Sequence, residues 1–195
     1  MTTTTTATRG GPATRERIID AATELFYANG LRAVSADRII EKVGITKVTF
    51  YRHFPTKDDL IVAYLEKRAA WERGAIQGAC AEANHPLEAL RMIANGIGEE
   101  SCSPGFRGCP FINAAAEYPD PSHRVRLVVD AHRRWFRDAT RGLLDQVGVA
   151  DSSRKADQLV MLRDGAMVAG YLGDATTVAA ALCAAGWAVI RPANR

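Results

Sequence analysis

The sequence predicts an all-α protein: a three-helix head containing a helix-turn-helix, joined by a long helix to a larger helical C-terminal domain, about nine helices in all. Three observations predict it. Apolar residues recur at helical spacing along most of the 195 residues. Gly, Pro and capping residues punctuate those runs where helices start and stop. No stretch alternates apolar and polar residues as a half-buried strand would.

From Thr14 to Asn29, Ile18, Ile19, Ala22, Leu25 and Phe26 follow helical spacing, and Asn29-Gly30 is a stop signal. Leu31 and Val34 seal the turn that follows. Ser35 is a good N-cap for a short helix with Ile39, Ile40 and Val43 on one face, ending at Gly44. A glycine there takes the left-handed conformation that a tight turn between helices requires, and Thr46 caps a second short helix from Lys47. This pair is the helix-turn-helix pattern. Three short helices of this kind make a head of about fifty residues, close to the minimum that stands alone.

Thr56 and Asp59 resemble a capping box opening a long helix, through Leu60, Ile61, Tyr64, Leu65, Arg68 and Trp71, unbroken until Asn84-His85-Pro86. Pro86 suits the first turn of the next helix, to about Glu100. Ser101 to Pro110 is a loop, followed by a short helix from Phe111 to Glu117, and Ser122 to Gln146 reads as a long helix ended by Gly148. Asp151 or Ser152 caps another to about Leu172, and Gly173-Asp174 introduces a last one ending before Pro192. The expected division is a flexible, threonine-rich arm over 1–13, a head over 14–56 and a C-terminal domain over 57–195. Arg9, Arg15 and Arg17 put positive charge in and beside that arm.

The head carries the chemistry. Phe50 and Phe54, four residues apart, point inward together, which leaves Lys47, Thr49, Tyr51, Arg52 and His53 on the outer surface. Lys47, Arg52 and Lys57 are three cations in a segment, Gly44 to Lys57, that contains no acid. They equal the whole net charge of +3, so the excess is a focused patch rather than a general polycation. Such a helix fits a major groove, its first residues facing base edges and its flanks holding phosphates.

Elsewhere the composition mainly excludes. A hydrophobic content of 47% supplies a sizeable core. Cys80, Cys102, Cys109 and Cys183 form no C-x-x-C pair and follow no secretory signal, so a reduced cytoplasm is the simplest setting. Ala175 to Ile190 is too short and too alanine-rich to span a membrane. No phosphate-binding glycine loop, nucleophile elbow or His-Glu-x-x-His motif is present, and Cys102, Cys109, His123 and His132 match no standard zinc spacing. No catalytic residue, metal ligand or cofactor is expected.

From Arg15 to Lys67 the chain resembles the TetR family of transcriptional repressors. The resemblance lies in Ile18-Ile19-Asp20-Ala21-Ala22, Leu25-Phe26, Asn29-Gly30, Ile39, Val43-Gly44-Ile45, Thr49-Phe50-Tyr51, His53-Phe54, Lys57 and Leu60. It implies a homodimer of helical subunits, each with a DNA-binding head and a C-terminal domain for a small effector. By position, Thr46, Lys47, Val48 and Tyr51 face the groove, while Ser35, Thr49, Tyr51, His53 and Lys57 anchor the DNA backbone. Arg52 falls where family members vary. Asp37 stands where some members read a base with a basic residue; an acid there repels phosphate or accepts from cytosine.

The C-terminal domain is read from its own residues. Tyr64, Met92, Phe106, Phe111, Asn113, His132, Trp135, Phe136 and Met167 are plausible pocket walls for an unidentified small molecule. The last two helices, about 152–172 and 175–191, carry small faces, Gly165, Ala166, Ala169 and Gly170 in one and Ala179 to Ala181, Ala184, Ala185 and Gly186 in the other. Because paired half-sites lie about 34–36 Å apart, such a head works in two copies, and these helices are the expected dimer contact. Two alternatives stay open: a redox-responsive regulator using Cys102 and Cys109 beside Arg107, and a helical ligand-binding protein with little DNA affinity.

Overall fold

A computed structural model describes residues 11–191, and within them nine α-helices and no strand are present. The arm residues 1–10, with Arg9, and the tail after Arg191 lie outside the described residues. The helices are α1 (Pro12–Asn29), α2 (Ala36–Val43), α3 (Lys47–His53), α4 (Lys57–Glu82), α5 (Pro86–Ser101), α6 (Pro110–Glu117), α7 (Arg124–Gln146), α8 (Ser152–Leu172) and α9 (Val178–Ile190). The chain divides into two compact units, one ending at Lys67 and the other beginning at Arg68, and α4 is continuous through that boundary.

In the first unit the local signals act as read. Ser35 Oγ accepts from Arg38 N and Thr46 Oγ1 from Thr49 N, so both short helices have side-chain N-caps. Gly44 sits at φ 71°, and its N–H reaches the carbonyls of Ile40 and Glu41. The Thr56–Asp59 capping box closes both ways: Asp59 N donates to Thr56 Oγ1 at 3.1 Å and Thr56 N to Asp59 Oδ2 at 2.8 Å. Ile18, Phe26, Val34, Ile39, Phe50, Phe54, Leu60 and Ile61 are fully buried and form the head's core. One boundary differs. α1 opens at Pro12, earlier than the apolar spacing suggests, because proline fits the first helical position without needing its missing N–H.

In the second unit α5 packs on α9, α7 on α8 and α8 on α9. Two helix starts depart from expectation, and a third begins where expected without its side-chain cap. α7 begins at Arg124 rather than Ser122, because Asp120 takes both the N–H and the hydroxyl of Ser122 and His123 Nδ1 caps Val125 N. Asp151 precedes α8 at φ 55° and makes no side-chain capping bond, and the Ser152 hydroxyl goes to Asp145. The last helix is two pieces, a 3-10 turn over Ala175–Thr177 and then α9, since Asp174 Oδ1 holds Thr176 N at 3.0 Å. The small residues also divide. A Cβ on Gly170 would fall 2.7 Å from the Ser101 side chain, and one on Gly98 would meet Ala179, so these positions serve packing within the unit. Gly165, Ala169, Ala180, Ala181 and Ala184 remain exposed. No described helix is long and apolar enough to cross a membrane.

Candidate nucleic-acid interface and central cavity

The head presents α3 outward. Phe50 and Phe54 are buried at 0% and 2% exposure and hold its inner side, while Val48 is 80% and Tyr51 47% exposed. An aliphatic and an aromatic side chain left in water on so short a helix cost the fold burial it could have used. Lys47, Arg52 and Thr46 are exposed, Thr49 is half-buried with its hydroxyl 3.0 Å from that of Thr46, and Ser35 is exposed at the start of α2. His53 is half-buried, its Nε2 enclosed without a hydrogen-bond partner.

Lys47 and Lys57 are already engaged. Lys47 Nζ lies 2.9 Å from Asp37 Oδ1, joining α2 to α3, and the hydrogen bond and charge of Asp37 raise the lysine above its ordinary pKa. Lys57 Nζ donates to the carbonyl of Arg32 at 3.0 Å. Behind the surface, Arg17 donates to the Val43 carbonyl at 2.7 Å, and Lys67 bridges Glu16 and Asp20 of α1. These contacts fix the pitch of α2 and α3 on α1 and α4, so the outward face is positioned by a rigid support.

The second unit encloses two adjoining apolar spaces. One, of about 80 Å³ and partly open to solvent, lies among α5, α7, α8 and α9, lined by Leu87, Leu90, Thr140, Leu182 and Trp187. The other, of about 130 Å³ and likewise partly open, lies among α4, α5, α7 and α8, lined by Trp71, Glu72, Ile76, Met92 and Glu100. Ile93, Ile97, Phe136 and Arg163 line both.

A buried ionic network ties the walls together. Glu72 accepts from Arg68 Nε at 3.1 Å and from His132 Nε2 at 3.0 Å, with Arg163 Nη2 at 3.5 Å; Arg68 also binds Glu100. Burial opposes ionisation of Glu72, yet the His132 hydrogen bond and the positive charges of Arg163 and Arg68 hold its pKa below the ordinary carboxylate value. Burial likewise opposes the charge on Arg163, which Cys109 and Glu72 nonetheless hold in place. Arg163 donates to Cys109 Sγ at 3.0 Å and Arg133 pairs with Asp164 at 2.6 Å.

The residues named from sequence as pocket walls fall in different places. Met92 lines the α4-side space and Phe136 lines both. Phe111 and His132 stack with ring centroids 3.8 Å apart beside a small void that Phe136 also borders. Trp135 lies against His132 with Arg73 over its ring. Met167 is buried and Phe106 half-buried. Asn113 is exposed, its amide closing the loop onto the Arg107 carbonyl at 2.9 Å. Tyr64 belongs to the first unit, where it packs on Phe26. Cys102 is exposed and Cys109 buried, and among the described residues no three His, Cys, Asp or Glu side chains gather as a metal site.

Comparison with known proteins gives the fold its relatives. The family model for bacterial regulatory proteins of the tetR family matches residues 18–64. The crystal structure of SCO4454, a TetR-family transcriptional regulator from Streptomyces coelicolor, superposes with a TM-score of 0.88 at 44% identity, over 91% of this chain and 94% of that one. The chain belongs to the TetR family. Among further relatives, the HTH-type transcriptional repressor KstR of Rhodococcus jostii is 32% identical over 76% of this chain and 66% of its own length. The HTH-type transcriptional regulator LmrA of Bacillus subtilis is 27% identical over 80% and 82%. This TetR-family protein is accordingly a DNA-binding transcriptional regulator, and α2 and α3 are its helix-turn-helix.

Sequence reasoning missed Glu72, Glu100 and Arg163. The one available signal was Arg68 and Glu72 at i,i+4 on a helix, with Arg163 set among the apolar residues of α8. Their partners lie too far along the chain for spacing to reveal them.

Proposed function

We propose that this regulator is a ligand-responsive repressor that binds an inverted-repeat operator as a homodimer. The observation that carries the DNA-reading half is α3: a capped, supported helix whose exposed face holds Lys47, Val48, Tyr51 and Arg52. In this reading Thr46, Lys47, Val48 and Tyr51 meet base edges, Val48 offering a surface to a thymine methyl. Ser35, Thr49, His53 and Lys57 hold the backbone, and Arg52 adds charge. Lys57→Ala should weaken binding to all duplexes alike and lower the salt slope by about one unit. Lys47→Ala should instead flatten the preference among base sequences, as competition binding against variant sites would report.

Dimerisation is assigned to α8 and α9. Met161, Gly165, Val168 and Leu172 recur at i, i+4, i+7 and i+11 and leave an exposed apolar stripe along α8, Leu172 at 75% exposure. The exposed alanines of α9 offer a matching smooth surface. Sedimentation velocity tests the assignment: the protein should run as a dimer and Val168→Glu as a monomer with weakened operator binding. A wild-type monomer, on and off DNA, would contradict it.

The effector is placed in the paired spaces of the second unit. An occupant pressing on the α4 wall, where Arg68 and Glu72 lie, would shift the helix that continues into the DNA-binding head, altering the spacing of two heads on two half-sites.

A further inference from the structure

The charges around the paired cavity carry an inference about what enters it, resting on the ligand-responsive reading above. Four ionic side chains line the two spaces: Glu72, Glu100, Arg91 and Arg163. Each already faces a counter-charge. Glu72 has Arg68, His132 and Arg163 around it, Glu100 has Arg68, Arg163 has Glu72 and Asp164, and Arg91, exposed at the rim, has Glu88 at 3.7 Å.

An ionised occupant would bring an extra charge into a site whose charges are mutually satisfied. It would either stay unpaired in a low-dielectric space or strip a partner from the network, and both are costly. The rest of the lining is aliphatic and aromatic, with Trp71, Phe136 and Trp187 offering ring surface. Thr140 supplies a neutral polar handle. The Thr140 hydroxyl spends its proton on the Phe136 carbonyl at 2.9 Å, which leaves its oxygen able to accept from an occupant's O–H.

We propose that the paired cavity admits a neutral, mostly apolar aromatic molecule carrying a single hydroxyl-sized polar group, and discriminates against carboxylate and ammonium analogues of the same shape.

Two glycines allow a test that spares the fold. A Cβ on Gly96 meets nothing within 4 Å and one on Gly186 makes only an ordinary 3.5 Å contact with Leu159, and these residues line the α4-side and α9-side spaces respectively. Gly96→Leu and Gly186→Leu therefore fill the spaces from within helices that gain propensity. Calorimetric titration of the full-length protein with naphthylmethanol, naphthoate and naphthylmethylammonium is the experiment.

The expected result is that naphthylmethanol binds at least tenfold more tightly than either ion. It should lose at least tenfold in one of the two leucine variants while the thermal midpoint is kept or raised. Equal or tighter binding of an ion would overturn the neutral-ligand inference and leave the effector reading standing. Failure of all three to bind at millimolar concentration would overturn the cavity as a binding site. Tight naphthylmethanol binding that leaves operator affinity unmoved would uphold this inference while removing the effector reading.

Discussion

Glu72→Ala is expected to destabilise the second unit by about 3–5 kcal/mol, the range found when one member of a buried ionic network is removed and its partners stay behind. The carboxylate is 8% exposed and is surrounded by Arg68, His132 and Arg163, three groups from α4, α7 and α8. Without it Arg163, also 8% exposed, keeps Asp164 as its carboxylate partner, with Cys109 and the Phe136 ring beside its guanidinium. Thermal and urea unfolding would measure the loss. The double replacement Glu72→Met with Arg163→Met should recover part of it, since apolar groups of similar volume leave less charge unpaired.

The same network sets a pH dependence. Glu72 has a depressed pKa in the folded state, so its contribution is fully present above the unfolded carboxylate value and is lost as pH falls toward the lower, folded one. The stability gap between the native protein and Glu72→Gln should therefore shrink on acidification below about pH 4. A gap independent of pH through that window would contradict the assignment of the charge to Glu72.

Phe50→Ala is the second large effect. The ring is fully buried, packed edge-on to Tyr51 and tilted against Phe54, and its removal should cost about 3–5 kcal/mol. A seven-residue helix cannot hold itself together by its own hydrogen bonds. The cost therefore falls on α3 itself: operator binding should disappear and amide exchange should accelerate between Ser35 and Phe54. Amides of α7 and α8 should exchange at their native rates. Phe50→Leu keeps most of the volume and should retain binding.

The head was legible because its decisive interactions are local. Ser35, Gly44, Thr46 and the Thr56–Asp59 pair each act within four residues of themselves, so caps and turn could be read directly from the chain. The same locality explains the misplaced helix starts. Asp120 and Asp174 also act within two residues, but as acceptors that hold a turn open rather than as caps that begin an α-helix, and sequence alone offers both uses. The second unit was less legible. Glu72 meets His132 and Arg163 across long stretches of chain, and no periodicity encodes such a meeting. Asn113 had the composition of a pocket handle, but the turn at Arg107 claims its amide. Glycine and alanine gave the small faces without saying which side of each helix stays outside. Gly170 turned to Ser101, whereas Gly165 and Ala169 stayed exposed.

The most direct test of the central claim, that the exposed face of α3 reads DNA in two symmetric copies, is selection of bound duplexes from a random pool at near-physiological salt, run in parallel with Lys47→Ala. The native protein should enrich an inverted repeat whose half-sites are separated by about one helical turn, and Lys47→Ala should blur the bases within each half-site while keeping their spacing. Recovery of the same sharp repeat by Lys47→Ala would contradict the groove-facing role of Lys47. Recovery of no repeat by the native protein would contradict the paired, sequence-reading head altogether.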